Sequence, residues 1–115
     1  MPKHSEELSY YHKYLKEHPE SPITEHEVIK RLTNGEPIQY SLGEVNFYGY
    51  PFKVTKDVLI PRYETELLVE KTITKIKKYF SNTPISIIDL GTGTGCIPIT
   101  LKKELPNDTT ITALD

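Results

Sequence analysis

In Asp89-Leu90-Gly91-Thr92-Gly93-Thr94-Gly95, three glycines alternate with threonines directly after the largely apolar run Ile85-Ser86-Ile87-Ile88, and Asp115 lies twenty positions beyond Gly95. These residue types at this spacing are the chemistry of a nucleoside-cofactor pocket. A strand that ends in glycines lets backbone approach a ligand closely, and an acid closing the next strand suits a ribose diol.

Three kinds of glycine loop follow a first strand, and spacing separates them. A phosphate-cradling loop ends in Gly-Lys-Ser/Thr, and no lysine occurs between Asp89 and Leu101. A dinucleotide fingerprint places its third glycine at position 96, where Cys96 stands, which weakens a nicotinamide-cofactor reading. The pattern Asp-x-Gly-x-Gly-x-Gly resembles the first motif of Rossmann-like methyltransferases that use S-adenosylmethionine. That resemblance implies that Gly91, Thr92, Gly93, Thr94 and Gly95 line the methionine end of the cofactor, that Asp115 accepts hydrogen bonds from both ribose hydroxyls, and that Asp89 orders the loop and meets the methionine moiety. A methionine carboxylate suits the backbone donors of such a loop and of the helix start behind it. Cys96 reads as a small packing residue, since no histidine occurs in residues 85–115 to serve as its base. His4, His12, His18 and His26 match no metal-ligand spacing and read as solvated surface groups.

The elements that must position this loop follow from periodicity. Leu8, Tyr11 and Leu15 recur on one helical face between Ser5 and about Glu17. Thr24, three before Glu27, opens a second helix with a capping box, and Val28, Ile29 and Leu32 give it an apolar stripe up to Asn34-Gly35. Two helices this small must pack on something else. Alternation of Val45 with Phe47 and of Phe52 with Val54, about a turn at Gly49-Tyr50 and before Val58-Leu59-Ile60, predicts a β-hairpin. Leu68, Val69, Ile73, Ile76 and Phe80 predict a helix to about Tyr79, with its acids early and its lysines late, as the helix dipole favours. Ile85 to Asp89 reads as a buried strand, Gly95 to Glu104 as a helix with Pro98 in its first turn, and Thr110 to Asp115 as a second strand. Residues 85–115 thus form one βαβ unit with parallel strands.

Composition bounds the function classes. Lys plus Arg is 14 against 16 for Asp plus Glu, so a net charge of -2 gives no general attraction to nucleic acid or anionic membrane. One cysteine forms no internal disulfide, and no apolar run approaches a signal peptide or membrane span, so the cytoplasm is the expected compartment. A final strand lacking neighbours and a hydrophobic content of 37% lead us to expect an incomplete domain.

Three separated motifs narrow the reading: Gly35-Glu36-Pro37-Ile38-Gln39-Tyr40, Ile60-Pro61-Arg62-Tyr63-Glu64-Thr65-Glu66, and Asp89-Leu90-Gly91-Thr92-Gly93-Thr94-Gly95-Cys96. In this order they resemble the HemK/PrmC family, the glutamine N5-methyltransferases acting on peptide chain release factors. The resemblance covers residues 30–115 and departs from the usual pattern at Tyr63, where proline is commoner, and in the helical region ahead of Gly35, which is shorter than usual. It implies an α/β fold with a small helical substrate-recognition region over residues 1–40, a β-hairpin linker over 41–62, and from 63 to 115 the first, incomplete βαβ part of a Rossmann-like methyltransferase domain. S-adenosylmethionine is the implied cofactor and a release factor the implied protein partner, with no membrane or direct nucleic-acid contact. Arg62, Glu64 and Glu66 either contact substrate or form a charge-assisted network bracing the hairpin.

Methyl transfer to an amide is an in-line displacement that demands alignment. The resemblance assigns that task to an Asn-Pro-Pro-Tyr segment, and no Asn-Pro pair occurs in the 115 residues, so no catalytic residue is expected among them. Alternatives are an adenine N6- or ribosomal-protein glutamine methyltransferase, a non-catalytic recognition module, and an NAD-dependent oxidoreductase.

Overall fold

The computed structural model describes residues 3–115, so Met1 and Pro2 of the expected 1–40 region lie outside the described residues. The periodicity of Leu8, Tyr11 and Leu15 folds as α1 (Ser5–Glu17), with Tyr11 buried and Leu8 and Leu15 packed against the same core. Helix α2 (Glu25–Thr33) begins where Thr24 Oγ1 accepts from the Glu27 N–H at 3.2 Å, one half of the expected capping box. The reciprocal half is replaced, for Glu27 Oε1 accepts from Arg31 Nε at 3.2 Å. Val28 and Leu32 are buried, but Ile29 is exposed, because neighbouring residues lie about 100° apart around a helix. The packing partner these helices need is a short third helix, α3 (Ile38–Leu42), whose Ile38 and Leu42 close the cluster of Tyr11, Val28 and Leu32.

Gly43 ends α3 in the left-handed region and leads into β1 (Glu44–Phe47), which pairs antiparallel with β2 (Tyr50–Lys53). The turn falls on Tyr48-Gly49, one residue earlier than expected, with φ of 55° and 84°. Positive φ at both central residues is the type I′ form of a two-residue hairpin loop, which lets Tyr50 pair with Phe47. Val45, Phe47 and Phe52 are buried on one face, and the Phe47 and Phe52 rings meet edge-on at 6.2 Å. Val54 extends that face, its N–H donating to the Gly43 carbonyl, while Val58-Leu59-Ile60 is irregular rather than extended.

The hairpin face packs with α4 (Glu64–Tyr79), α5 (Cys96–Glu104) and the sheet of β3 (Ser86–Leu90) and β4 (Thr110–Leu114) into a second apolar cluster that shares no buried residue with the first. Helix α4 turns Val69, Ile73 and Ile76 inward, whereas Leu68 and Phe80 of the expected stripe are exposed. Strands β3 and β4 are parallel, from Ser86 opposite Thr110 to Leu90 opposite Leu114, with α5 between them in the chain. The expectation of a buried β3 needs correction. Ile87 and Ile111 face the helices, but Ile88 and Leu90 on the opposite face are 65% and 75% exposed, the alternation of a sheet covered on one side. The chain is mixed α/β, built of helices and two small sheets.

Candidate functional site

The glycine loop leaves the carboxyl end of β3, and α5 starts directly behind it. Gly91, Gly93 and Gly95 all lie in the left-handed region, with φ of 74°, 57° and 81°. At Gly95 the requirement is double, since an added Cβ would also sit 3.2 Å from Ile99 Cδ1. The loop is moulded by the neighbouring strand. Leu114 O accepts from the N–H groups of both Gly91, at 2.8 Å, and Thr92, at 3.0 Å. Asp115 follows at once, and its Oδ1 faces the Gly93 N–H at 3.4 Å. Thr92 O accepts from the Gly95 N–H, and Thr94 Oγ1 accepts from the Cys96 N–H at 3.3 Å just ahead of α5. Cys96 is buried in the core.

Asp89, Gly91, Thr92, Gly93, Thr94, Gly95 and Asp115 are thereby brought to one end of the two-stranded sheet. Two buried polar atoms there, Asp89 Oδ2 and Thr92 Oγ1, have no hydrogen-bond partner among the described residues. Burying such groups costs about 1–3 kcal/mol each when unsatisfied.

Arg62, Glu64 and Glu66 separate. Arg62 and Glu64 are exposed, and no ion pair joins either among the described residues. Glu64 and Glu66 are two apart in the first turn of α4 and so point to different sides of the helix, where a single cation cannot reach both. Glu66 alone is engaged, its Oε1 accepting from the Tyr48 N–H at 2.6 Å.

Curated relatives match the segment that carries these features. It is 51% identical over 80 residues to a release factor glutamine methyltransferase of Flavobacterium psychrophilum, covering 70% of this chain and 28% of that protein. A release factor glutamine methyltransferase of Haemophilus influenzae is 48% identical over 80 residues, 68% of this chain and 27% of that protein. One of Koribacter versatilis is 41% identical over 108 residues, 89% of this chain and 37% of that protein. The chain belongs to the HemK/PrmC family. It spans 27% to 37% of the length of these relatives. No family model matches it.

In this HemK/PrmC chain the segments around the three motifs are braced by contacts that no local spacing announces. Tyr40, the last residue of the first motif, donates its phenol to the Val58 carbonyl at 2.7 Å, fixing the segment that enters Pro61-Arg62. Glu66 of the second motif holds the hairpin turn. Tyr50 on β2 donates to Glu104 Oε1 at 2.7 Å at the end of α5, the helix that begins at the glycine loop, and Lys103 Nζ lies 5.1 Å from the same ring. The Tyr50 phenol is pushed above its usual range, chiefly by that hydrogen bond to the Glu104 carboxylate.

The histidines also need refinement. His12 and His26 are exposed, but His4 and His18 are half-buried, and the His18 ring stacks on Tyr14 with centroids 4.2 Å apart. Among the described residues no cluster of three His, Cys, Asp or Glu is placed to hold a metal, and no helix is long and apolar enough to cross a membrane.

Proposed function

We propose that this chain forms part of the cofactor site of a cytoplasmic enzyme that transfers a methyl group from S-adenosylmethionine to the N5 nitrogen of a glutamine side chain in a peptide chain release factor. The observation that carries the reading is the loop between β3 and α5, closed by the end of β4 and leaving Asp89 Oδ2 and Thr92 Oγ1 unpartnered. Residues 63–115 are the start of a Rossmann-like domain in this proposal, 41–62 its linker and 1–40 the region that recognises substrate.

The residues present fit the cofactor. Asp89 Oδ2 lacks a donor, which an ammonium group supplies. The loop amides of Gly91, Thr92, Gly93, Gly95 and Cys96 are engaged internally, so the N–H groups of Thr94 and Ile97 are those left for a carboxylate. Asp115 is exposed and holds Gly93 only at 3.4 Å, so its second oxygen is available to a ribose hydroxyl pair. When bound, S-adenosylmethionine supplies an electrophilic methyl on a sulfonium. The chain's own contribution is to fix the cofactor and to hold the hairpin beside it through Glu66 and Tyr50.

A net charge of -2 suits a protein substrate better than a nucleic acid. The test is incubation of the full-length protein with a purified release factor and isotopically methyl-labelled S-adenosylmethionine, followed by peptide mass spectrometry. One labelled methyl on a glutamine is the expected result; label on nucleic acid only, or none, overturns the proposal.

A further inference from the structure

Helix α1 carries a second stripe beside its core-facing one. Tyr10, Tyr14 and Glu17 recur at i, i+4 and i+7 and face β1 across a recess of about 400 Å³, with Glu44 on the opposite wall. His18 closes one end. Its Nδ1 lies 3.2 Å from the Tyr14 carbonyl, which can only accept, so that nitrogen carries the proton in the neutral ring. Its Nε2 lies 3.4 Å from Glu44 Oε2, an ion pair when the ring is protonated. Lys13 is the recess's one lysine or arginine against the two carboxylates of Glu17 and Glu44, and it is exposed. Two carboxylates thus face one lysine across the recess, while the Tyr14–His18 stack and the Tyr10 ring supply aromatic surface.

We propose that this recess accepts the arginine side chain of a protein partner. A guanidinium is planar, carries five donors in a fixed fork and stacks on aromatic faces, whereas an ammonium offers a point charge and no plane. Tyr10 is 41% exposed, which leaves the mouth open to an incoming side chain. The phenols register the same field. Tyr10 is pushed above its usual range by burial and then by Glu44 and Glu17, and Tyr14 by burial and then chiefly by Glu44, so both carboxylates act at this point. The site lies between α1 and the hairpin and stands independently of the cofactor reading.

The test is an NMR titration of the chain, following the ring signals of Tyr10, Tyr14 and His18 with Nα-acetyl-arginine amide, its lysine analogue and its neutral citrulline isostere as probes. Saturable shifts with arginine by about 10 mM, weaker ones with lysine and none with citrulline are expected. Glu44→Gln and, separately, Glu17→Gln are each expected to weaken arginine binding about fivefold with the rest of the spectrum unchanged. No saturable arginine shift, an equal response to citrulline or lysine, or unchanged affinity in both folded variants overturns the proposal. Glu17 lies on an exposed helical position, so its variant keeps the test decisive should Glu44→Gln perturb the strand.

Discussion

The Tyr48 N–H donates to Glu66 Oε1 at 2.6 Å, joining the tip of the hairpin to the first turn of α4. Tyr48 holds a left-handed φ of 55° without being glycine, a strain of about 1–2 kcal/mol, and a charge-assisted hydrogen bond of about 1.5–3 kcal/mol offsets it. Glu66→Ala is expected to destabilise the chain by about 2 kcal/mol in urea unfolding, and Glu66→Gln, which keeps an acceptor, by less. An unchanged unfolding midpoint in Glu66→Ala would show that the tether contributes nothing.

Gly95 and Gly35 share a left-handed φ but differ in surroundings. An added Cβ meets Ile99 at 3.2 Å at Gly95, φ 81°, and nothing within 4 Å at Gly35, φ 86°. Gly35→Ala should cost only the conformational strain of about 1 kcal/mol, whereas Gly95→Ala adds a steric shift at the start of α5 and should cost more. Equal losses on thermal unfolding would refute the close approach at Gly95.

Asp115 is exposed and makes one long contact, to the Gly93 N–H. Asp115→Ala is therefore expected to change stability by less than about 0.5 kcal/mol while weakening S-adenosylhomocysteine binding by the full-length protein tenfold or more in calorimetry. Retention of wild-type affinity would remove Asp115 from the ribose site.

Tyr11 is buried and donates its phenol to the Ile23 carbonyl at 2.7 Å. Burial first, and Glu25 second, raise its ionisation above the ordinary 10.0. The folded state then holds this proton more tightly than the unfolded one, so the stabilisation is fully present below pH 10 and is lost as pH rises through the folded value. The unfolding midpoint of the helical unit should fall above pH 10, and Tyr11→Phe should flatten that dependence while lowering stability by about 1 kcal/mol for the unpaired carbonyl. The same pH profile in Tyr11→Phe would assign the effect elsewhere.

What the sequence made legible was local. Thr24, the stripe of α1, and the glycine spacing between β3 and α5 each speak within one or two turns of chain, and the elements they mark fold as read. Helix α3 is five residues long and shows no period. The hairpin turn is displaced because Tyr48 takes a conformation that glycine, asparagine or aspartate usually signals. Strand β3 is apolar on both faces, and only the packed structure shows which one the helices cover. At the candidate site, side-chain identity pointed to Asp89 and Asp115, but the part played by Leu114 belongs to its backbone carbonyl and left no trace in residue type. The ties from Tyr40 to Val58 and from Tyr50 to Glu104 connect residues 18 and 54 positions apart, beyond any periodic pattern.

Because Leu114 O takes both the Gly91 and Thr92 N–H groups, the start of the loop is held by β4 lying beside β3. The coupling runs in both directions. A molecule gripped by the loop also clamps β4 in its register, and part of its affinity appears as a slower opening of that strand.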